Sequence, residues 1–294
     1  MRVFVTGASG WVGSAVTREL LAAGHKVLGL ARSDASAKAV AAAGAEVQRG
    51  ALDDLDGLKR GAAACEGVIH TAFIHDFTDF AASCATDKAA IDALGAVLEG
   101  SGRPLIVSSG TLGLPPGRLG TEEDAIASVL PRKSEETALA LAARGVRAMV
   151  VRLSPSVHGD GDHGFVATLV RNAREKGFAT YVGDGKNRWP AVHRLDAARI
   201  YRLALEKGAA GAKFHGVGDE GIAVREIAEA IGRRLKVPAV SKTAEEAGAL
   251  LGFIGHVLGM DGPASSALTQ ERLGWRPTGP GLIADIDHGH YFDT

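Results

Sequence analysis

Three glycines spaced three apart give the chain its clearest chemistry. Thr6-Gly-Ala-Ser-Gly-Trp-Val-Gly13 follows a short apolar strand and leads into a segment of helical period. In that setting each glycine has a mechanical reason. Gly7 permits a tight turn, Gly10 lets backbone approach a pyrophosphate, and Gly13 lets the helix pack closely on the strand. The helix N-terminus attracts the phosphate charge. Gly7, Ser9, Gly10, Trp11, Val12 and Gly13 are therefore expected to cradle a dinucleotide. An acid at the end of the next strand would bind a ribose 2′-hydroxyl and favour NAD. Ala31 stands there instead, followed by Arg32 and Ser33. A guanidinium and a hydroxyl suit a 2′-phosphate, so NADP(H) is expected in preference to NAD(H).

Histidine is the side chain that trades protons near neutral pH. His75, just past the fourth expected strand, is placed in the substrate cleft with Asp76 beside it. His158 and His163 flank Asp160-Gly-Asp162, in a loop expected near the reacting end of the cofactor. These acids and histidines lack a rigid two-ligand spacing on a helix, so no metal is expected. Tyr181 and Trp189, around Gly183-Asp-Gly185, are candidate aromatic contacts to substrate, alongside His75 and His158.

Alternating strands and helices must position these groups. Strands are expected at Arg2–Thr6, Lys26–Ala31, Ala45–Gln48, Gly67–Ala72, Pro104–Ser108 and Val146–Leu153. Helices are expected at Trp11–Ala23, Ser36–Ala43, Leu55–Ala63, Phe77–Glu99 and Ser134–Ala143. That order predicts an α/β fold, a doubly wound parallel sheet with helices on both faces. After Ser154 the pattern loosens. Phe165–Lys176, Leu195–Glu206, Val224–Leu235 and Ala244–Phe253 read as helices, with short strands at Ala191–Arg194 and Lys213–Gly216. Residues 1–155 are expected to form the Rossmann domain, and 156–294 a smaller substrate-binding lobe that is not an independent domain.

Composition narrows the partners. The 294 residues are 46% hydrophobic and 23% charged, which excludes a disordered chain and a coiled coil. Lys and Arg number 33 against 34 Asp and Glu, so no bulk electrostatic attraction to nucleic acid or an anionic membrane is expected. Two cysteines, Cys65 and Cys84, make neither a disulfide framework nor a four-cysteine zinc site. No signal peptide or membrane-spanning helix is indicated, and a cytoplasmic location is expected.

Taken in order, the motifs resemble the short-chain dehydrogenase/reductase superfamily, most of all its extended or atypical branch of NAD(P)-dependent epimerases, dehydratases and dihydroflavonol-reductase-like enzymes. Thr6–Gly13 is similar to that branch's TGxxGxxG. Gly50-Ala-Leu-Asp-Asp54 resembles its GDLxD turn by the adenine, with Ala51 in place of an acid. Val68-Ile-His-Thr-Ala72 resembles the strand lying along the cofactor, and Val107-Ser-Ser-Gly-Thr111 the strand end that carries an active-site hydroxyl. Arg152-Leu-Ser-Pro-Ser-Val-His-Gly159 resembles RxxxVYG, with His158 where Tyr is usual, and Ala191–Asp196 resembles VHVxD. The resemblance implies cofactor contacts from Leu52, Thr71, Ala72, Phe73, Pro155 and Val157, and catalytic roles for Ser109 and Thr111. It also implies a homodimer built on the helices at Phe77–Glu99 and Ser134–Ala143.

The departure from the family bears directly on mechanism. The superfamily's proton relay pairs a Tyr with a Lys four residues on, whose charge lowers the Tyr pKa. The three tyrosines here, Tyr181, Tyr201 and Tyr291, have no such lysine. By resemblance, Pro131 falls at the Tyr position and Glu135 at the Lys position, with Arg132 and Lys133 nearby. The expectation is an NADP(H)-dependent oxidoreductase acting on a small or medium carbonyl-like molecule, with Ser109, Thr111 and Lys133 as catalytic candidates. A non-catalytic NADP sensor and an epimerase with tightly held cofactor are the alternatives.

Overall fold

A computed structural model describes residues 1–76, 78–127 and 131–292. The first half alternates β1 (Arg2–Thr6), α1 (Trp11–Ala22), β2 (Lys26–Ala31), α2 (Asp34–Ala42), β3 (Glu46–Arg49), α3 (Leu55–Ala63), β4 (Gly67–His70), α4 (Phe80–Leu98), β5 (Pro104–Gly110), α5 (Ser134–Ala142) and β6 (Arg147–Leu153). The second half holds β7 (Ser156–His158), α6 (Phe165–Lys176), β8 (Ala179–Val182), β9 (Arg188–His193), α7 (Arg194–Lys207), β10 (Lys213–Gly216), β11 (Asp219–Ala223), α8 (Val224–Leu235), β12 (Ala239–Lys242), α9 (Ala244–Leu251), α10 (Phe253–Val257), α11 (Ala267–Leu273) and α12 (Leu282–His288).

Seven parallel strands form the central sheet in the order β10-β6-β5-β4-β1-β2-β3. The order reverses between β1 and β4, which opens a crevice beyond their carboxyl ends, the usual ligand site of such sheets. Both faces of the sheet are covered. In β1, Val3 and Val5 join one core cluster while Phe4 joins the cluster on the opposite face. Hence the strand reads as continuously apolar, as a doubly buried strand must. A third cluster, around Trp189, Ile227, Ile231 and Leu282, holds the second half together. There β11-β9-β7 and β12-β8 form two small sheets.

Several boundaries differ from the sequence reading for identifiable reasons. β5 runs on to Gly110 because Ser109 pairs with Arg152 and Gly110 with Leu153 of β6. The single helix expected at Ala244–Phe253 is broken into α9 and α10 at Gly252, whose φ of 59° no helix accommodates. The expected helix start at Phe77 lies outside the described residues; α4 begins at Phe80, capped by the Asp79 side chain. Cys65 and Cys84 are free and buried. No helix among the described residues is long and apolar enough to cross a membrane.

Candidate active site

A cleft of about 830 Å³ follows the crevice at the end of β1. Its floor is the glycine turn. Gly7 has φ of 70°, and a Cβ there would stand 2.8 Å from the Ala72 backbone nitrogen. A Cβ on Gly13 would lie 2.0 Å from the Gly7 carbonyl oxygen and 2.6 Å from Thr71 Oγ1. The N-cap of α1 is Gly10, so no side chain caps the helix end, and Gly10 to Gly13 line the cleft. Trp11 is fixed from two sides. Its indole N–H donates to the Val157 carbonyl at 2.9 Å, and the Arg194 guanidinium lies 4.2 Å from the ring centroid.

Leu30, Arg32, Ser36 and the Gly50–Asp53 turn line the far end of the cleft. Arg32 is exposed there and makes no hydrogen bond or ion pair among the described residues. The neighbouring acid, Asp34, is engaged by Arg49 at 2.8 Å, which removes an obvious rival to a phosphate. Ser33 caps α2 through a reciprocal box with Ser36, and Ser36 is the hydroxyl that reaches the cleft lining. The tight glycine turn, the bare helix end and the cleft beyond them fit a nicotinamide dinucleotide.

A second cavity of about 500 Å³ shares Phe73, His75, Ser109 and Arg132 with this cleft. Arg132 sits at the seam. Its Nε donates to Ser134 Oγ at 2.7 Å and its Nη2 to the Ser108 carbonyl at 3.0 Å. Behind it runs a buried polar chain. Ser134 Oγ donates to Asp87 Oδ2 at 2.5 Å, His70 Nε2 lies 3.2 Å from Asp87 Oδ1, and Thr6 Oγ1 lies 2.8 Å from His70 Nδ1. Burial raises the Asp87 carboxyl pKa, but the hydrogen bond from His70 and the Arg132 charge outweigh it and hold it below its usual value. The carboxylate thus remains ionised and anchors the cation. His75 stands at the rim, where desolvation first and the Arg132 charge second push its pKa down.

Glu135, at the position matched to the family's lysine, is held by Arg152 through two hydrogen bonds of 2.8 and 2.5 Å. Arg152 is itself fully buried, with Nη1 3.2 Å from His215 Nε2. Burial drives the His215 pKa down to about 4, against the opposing charge of Glu122. Its Nδ1 is 2.7 Å from the Ser265 carbonyl. The neutral ring therefore donates at Nδ1 and accepts at Nε2.

Of the catalytic candidates, Ser109 lines both cavities and Lys133 lines the second, where it pairs with Glu136 at 3.1 Å. Thr111 is buried and lines neither. Leu52, Thr71, Ala72 and Phe73 line the cofactor cleft. Pro155 and Val157 do not line it; Leu153 does, and Val157 acts through the carbonyl that holds Trp11.

Three expected substrate contacts lie away from both cavities. His158 is buried, with Nδ1 2.8 Å from Asp285. Trp189 is core and donates to the Met260 carbonyl at 3.2 Å. Tyr181 packs beneath Arg225 on β8. His163 lines the cofactor cleft edge-on to Trp11. None of the three tyrosines reaches either cavity. Tyr201 is buried, with its hydroxyl 2.8 Å from Ser108 Oγ, and Tyr291 donates to Asp162. Burial raises the pKa of both phenols. The residues that sequence reasoning passed over are Phe80, Ile126, Leu139 and Phe253 of the second cavity. Phe73 and Phe80 stand seven residues apart across the turn into α4, and that spacing of aromatics was the one readable signal.

Comparison with known proteins agrees with this geometry. The NAD(P)H-binding family matches residues 7–181. An uncharacterized protein of Schizosaccharomyces pombe is 50% identical over 295 residues, covering 99% of this chain and 100% of that one. A 2-alkyl-3-oxoalkanoate reductase of Stenotrophomonas maltophilia is 28% identical over 263 residues, covering 82% and 78% of the two chains. The fold is shared with a crystal structure of dTDP-glucose 4,6-dehydratase from Streptomyces venezuelae with NAD and TYD bound, at a TM-score of 0.77, 22% identity and coverage of 97% and 96%. The chain belongs to the NAD(P)H-binding family.

Proposed function

We propose that this protein is an NADP(H)-dependent oxidoreductase that interconverts a carbonyl compound and its alcohol. The observation that carries this reading is the seam. Ser109 and Arg132 belong to the walls of the cofactor cleft and of the second cavity alike. A substrate in that cavity would present its carbonyl where the two spaces meet. The resemblance to an oxoalkanoate reductase supports the same reaction class.

A nicotinamide dinucleotide held by the Gly7–Gly13 turn and Arg32 would supply the hydride in the reducing direction. The Ser109 hydroxyl donates a hydrogen bond to the carbonyl oxygen. The Arg132 cation stabilises the electron pair that collects on that oxygen as the C=O bond becomes single. Asp87, through Ser134, keeps the guanidinium in place. The proton that completes the alcohol enters from solvent at the rim where His75 stands. Arg132 thus takes the electrostatic part that a lysine plays elsewhere in the superfamily, and no tyrosine is needed to hold charge.

The test is NADPH oxidation, followed by absorbance, against aldehydes, ketones and cyclic imines, with NADH alongside. Turnover that favours NADPH and falls about 10²-fold or more in Ser109→Ala supports the reading. Tight NADPH binding without turnover on any of the three classes would exclude it in favour of a sensor.

A further inference from the structure

We propose that the second cavity seats an uncharged ketone or aldehyde with an aromatic or alkyl body, rather than a nucleotide sugar, and that Phe253 sets the length it accepts. The proposal rests on the oxidoreductase reading only for the reacting end of the substrate.

Two features of the walls point to this class. The first is an aromatic row. The Phe73 and Phe80 ring centroids are 5.9 Å apart, and those of Phe80 and Phe253 5.6 Å apart. The row starts at the seam with Phe73 and ends on α10. Leu112, Ile126 and Leu139 add aliphatic surface to the same space. Aromatic faces at these separations favour a flat or extended apolar body, through burial and offset contact. A volume of about 500 Å³ lies in the range of small-molecule sites.

The second feature is how the charges are used. Glu135 is held by Arg152, and Glu136 by Lys133. Arg132 is engaged by Ser134 and the Ser108 carbonyl, with Asp87 at 3.9 Å. Lys213 donates to the Glu123 carbonyl at 3.3 Å. Each charged group of the lining thus already has a partner in the chain. A diphosphate would have to pull these cations from their partners or be buried uncompensated, and either course is costly. An uncharged body requires neither.

The test separates binding from turnover. The full chain is saturated with NADP⁺, so that no reduction occurs, and titrated calorimetrically with benzylacetone, benzoylpropionate and UDP-glucose. The expected order is benzylacetone tightest, with UDP-glucose at least ten-fold weaker. Phe253→Leu should weaken benzylacetone about ten-fold while NADP⁺ affinity and Tm stay unchanged. Phe253→Trp should shorten the space, lowering kcat/KM for benzylacetone more than for acetaldehyde. Tighter binding of UDP-glucose or of the carboxylate, or indifference to both Phe253 variants, would overturn the proposal. Benzylacetone binding that depends on Phe253, without turnover when NADPH replaces NADP⁺, would uphold the seat and count against the oxidoreductase reading instead.

Discussion

The Arg132 guanidinium lies over the ring of Phe73, 4.2 Å from its centroid. The pairing joins the loop after β4 to the start of α5 at the point where the two cavities meet. It gives the cation an aromatic face on one side and hydrogen-bond acceptors at its edge, an arrangement that a planar guanidinium with its fork of donors fills better than an ammonium.

Arg132→Met should therefore lower kcat by about 10²-fold or more, the loss typical of one oxyanion-stabilising group. Arg132→Lys should recover only part of it. Steady-state kinetics, with NADP⁺ affinity measured beside them, check this; equal rates for Lys and Arg would show that charge alone suffices.

Arg32→Ala should raise the NADPH dissociation constant by roughly 10- to 100-fold, the equivalent of a charge-assisted hydrogen bond. NADH, which has no 2′-phosphate, should bind the variant as it binds the wild type. Fluorescence titration with both nucleotides decides it, and a parallel loss for NADH would remove the assignment.

Gly13→Ala should cost about 1–3 kcal/mol, because the new methyl meets backbone at 2.0 Å and backbone cannot swing aside. Gly262→Ala is the control, since a Cβ there meets nothing within 4 Å. Thermal melts of the two variants should separate clearly, with only the first losing nucleotide binding.

The buried His215 ties stability to acid. Its folded pKa of about 4 lies below the unfolded value near 6.5. The unfolded chain binds the extra proton, so the contribution is complete above pH 6.5 and declines as pH falls toward 4. Between pH 6.5 and 5 the loss is about 1.5 kcal/mol. Urea unfolding at the two pH values should show it, and His215→Gln should flatten that part of the profile.

Much of the nucleotide half was legible because its signals are local. Gly7, Gly10 and Gly13 fix a turn and a helix start within eight residues, and α1, β2 and α3 fall close to where periodicity puts them. The substrate half was less readable. β8 and β12 pair with each other far along the chain, and neither carries a strong pattern of its own. Trp189 and Tyr181 offered the right chemistry but are consumed by the lobe's packing. Phe80 and Phe253 become neighbours only through the tertiary fold, and no spacing rule connects them. Sequence places Arg132 only near the missing relay, since nothing local reveals that Asp87 stands behind it.

The edge strand β10 comes from Lys213–Gly216, although β6, which it covers, ends at Leu153. During synthesis β6 therefore emerges roughly 60 residues ahead of its partner. At ~5–20 residues per second, that leaves an apolar edge built from Ala148, Met149, Val150 and Val151 open for several seconds. An unpaired edge of this kind invites pairing with other nascent chains. The protein's yield in the cell should thus depend on a holding chaperone during that interval, whatever its stability once complete.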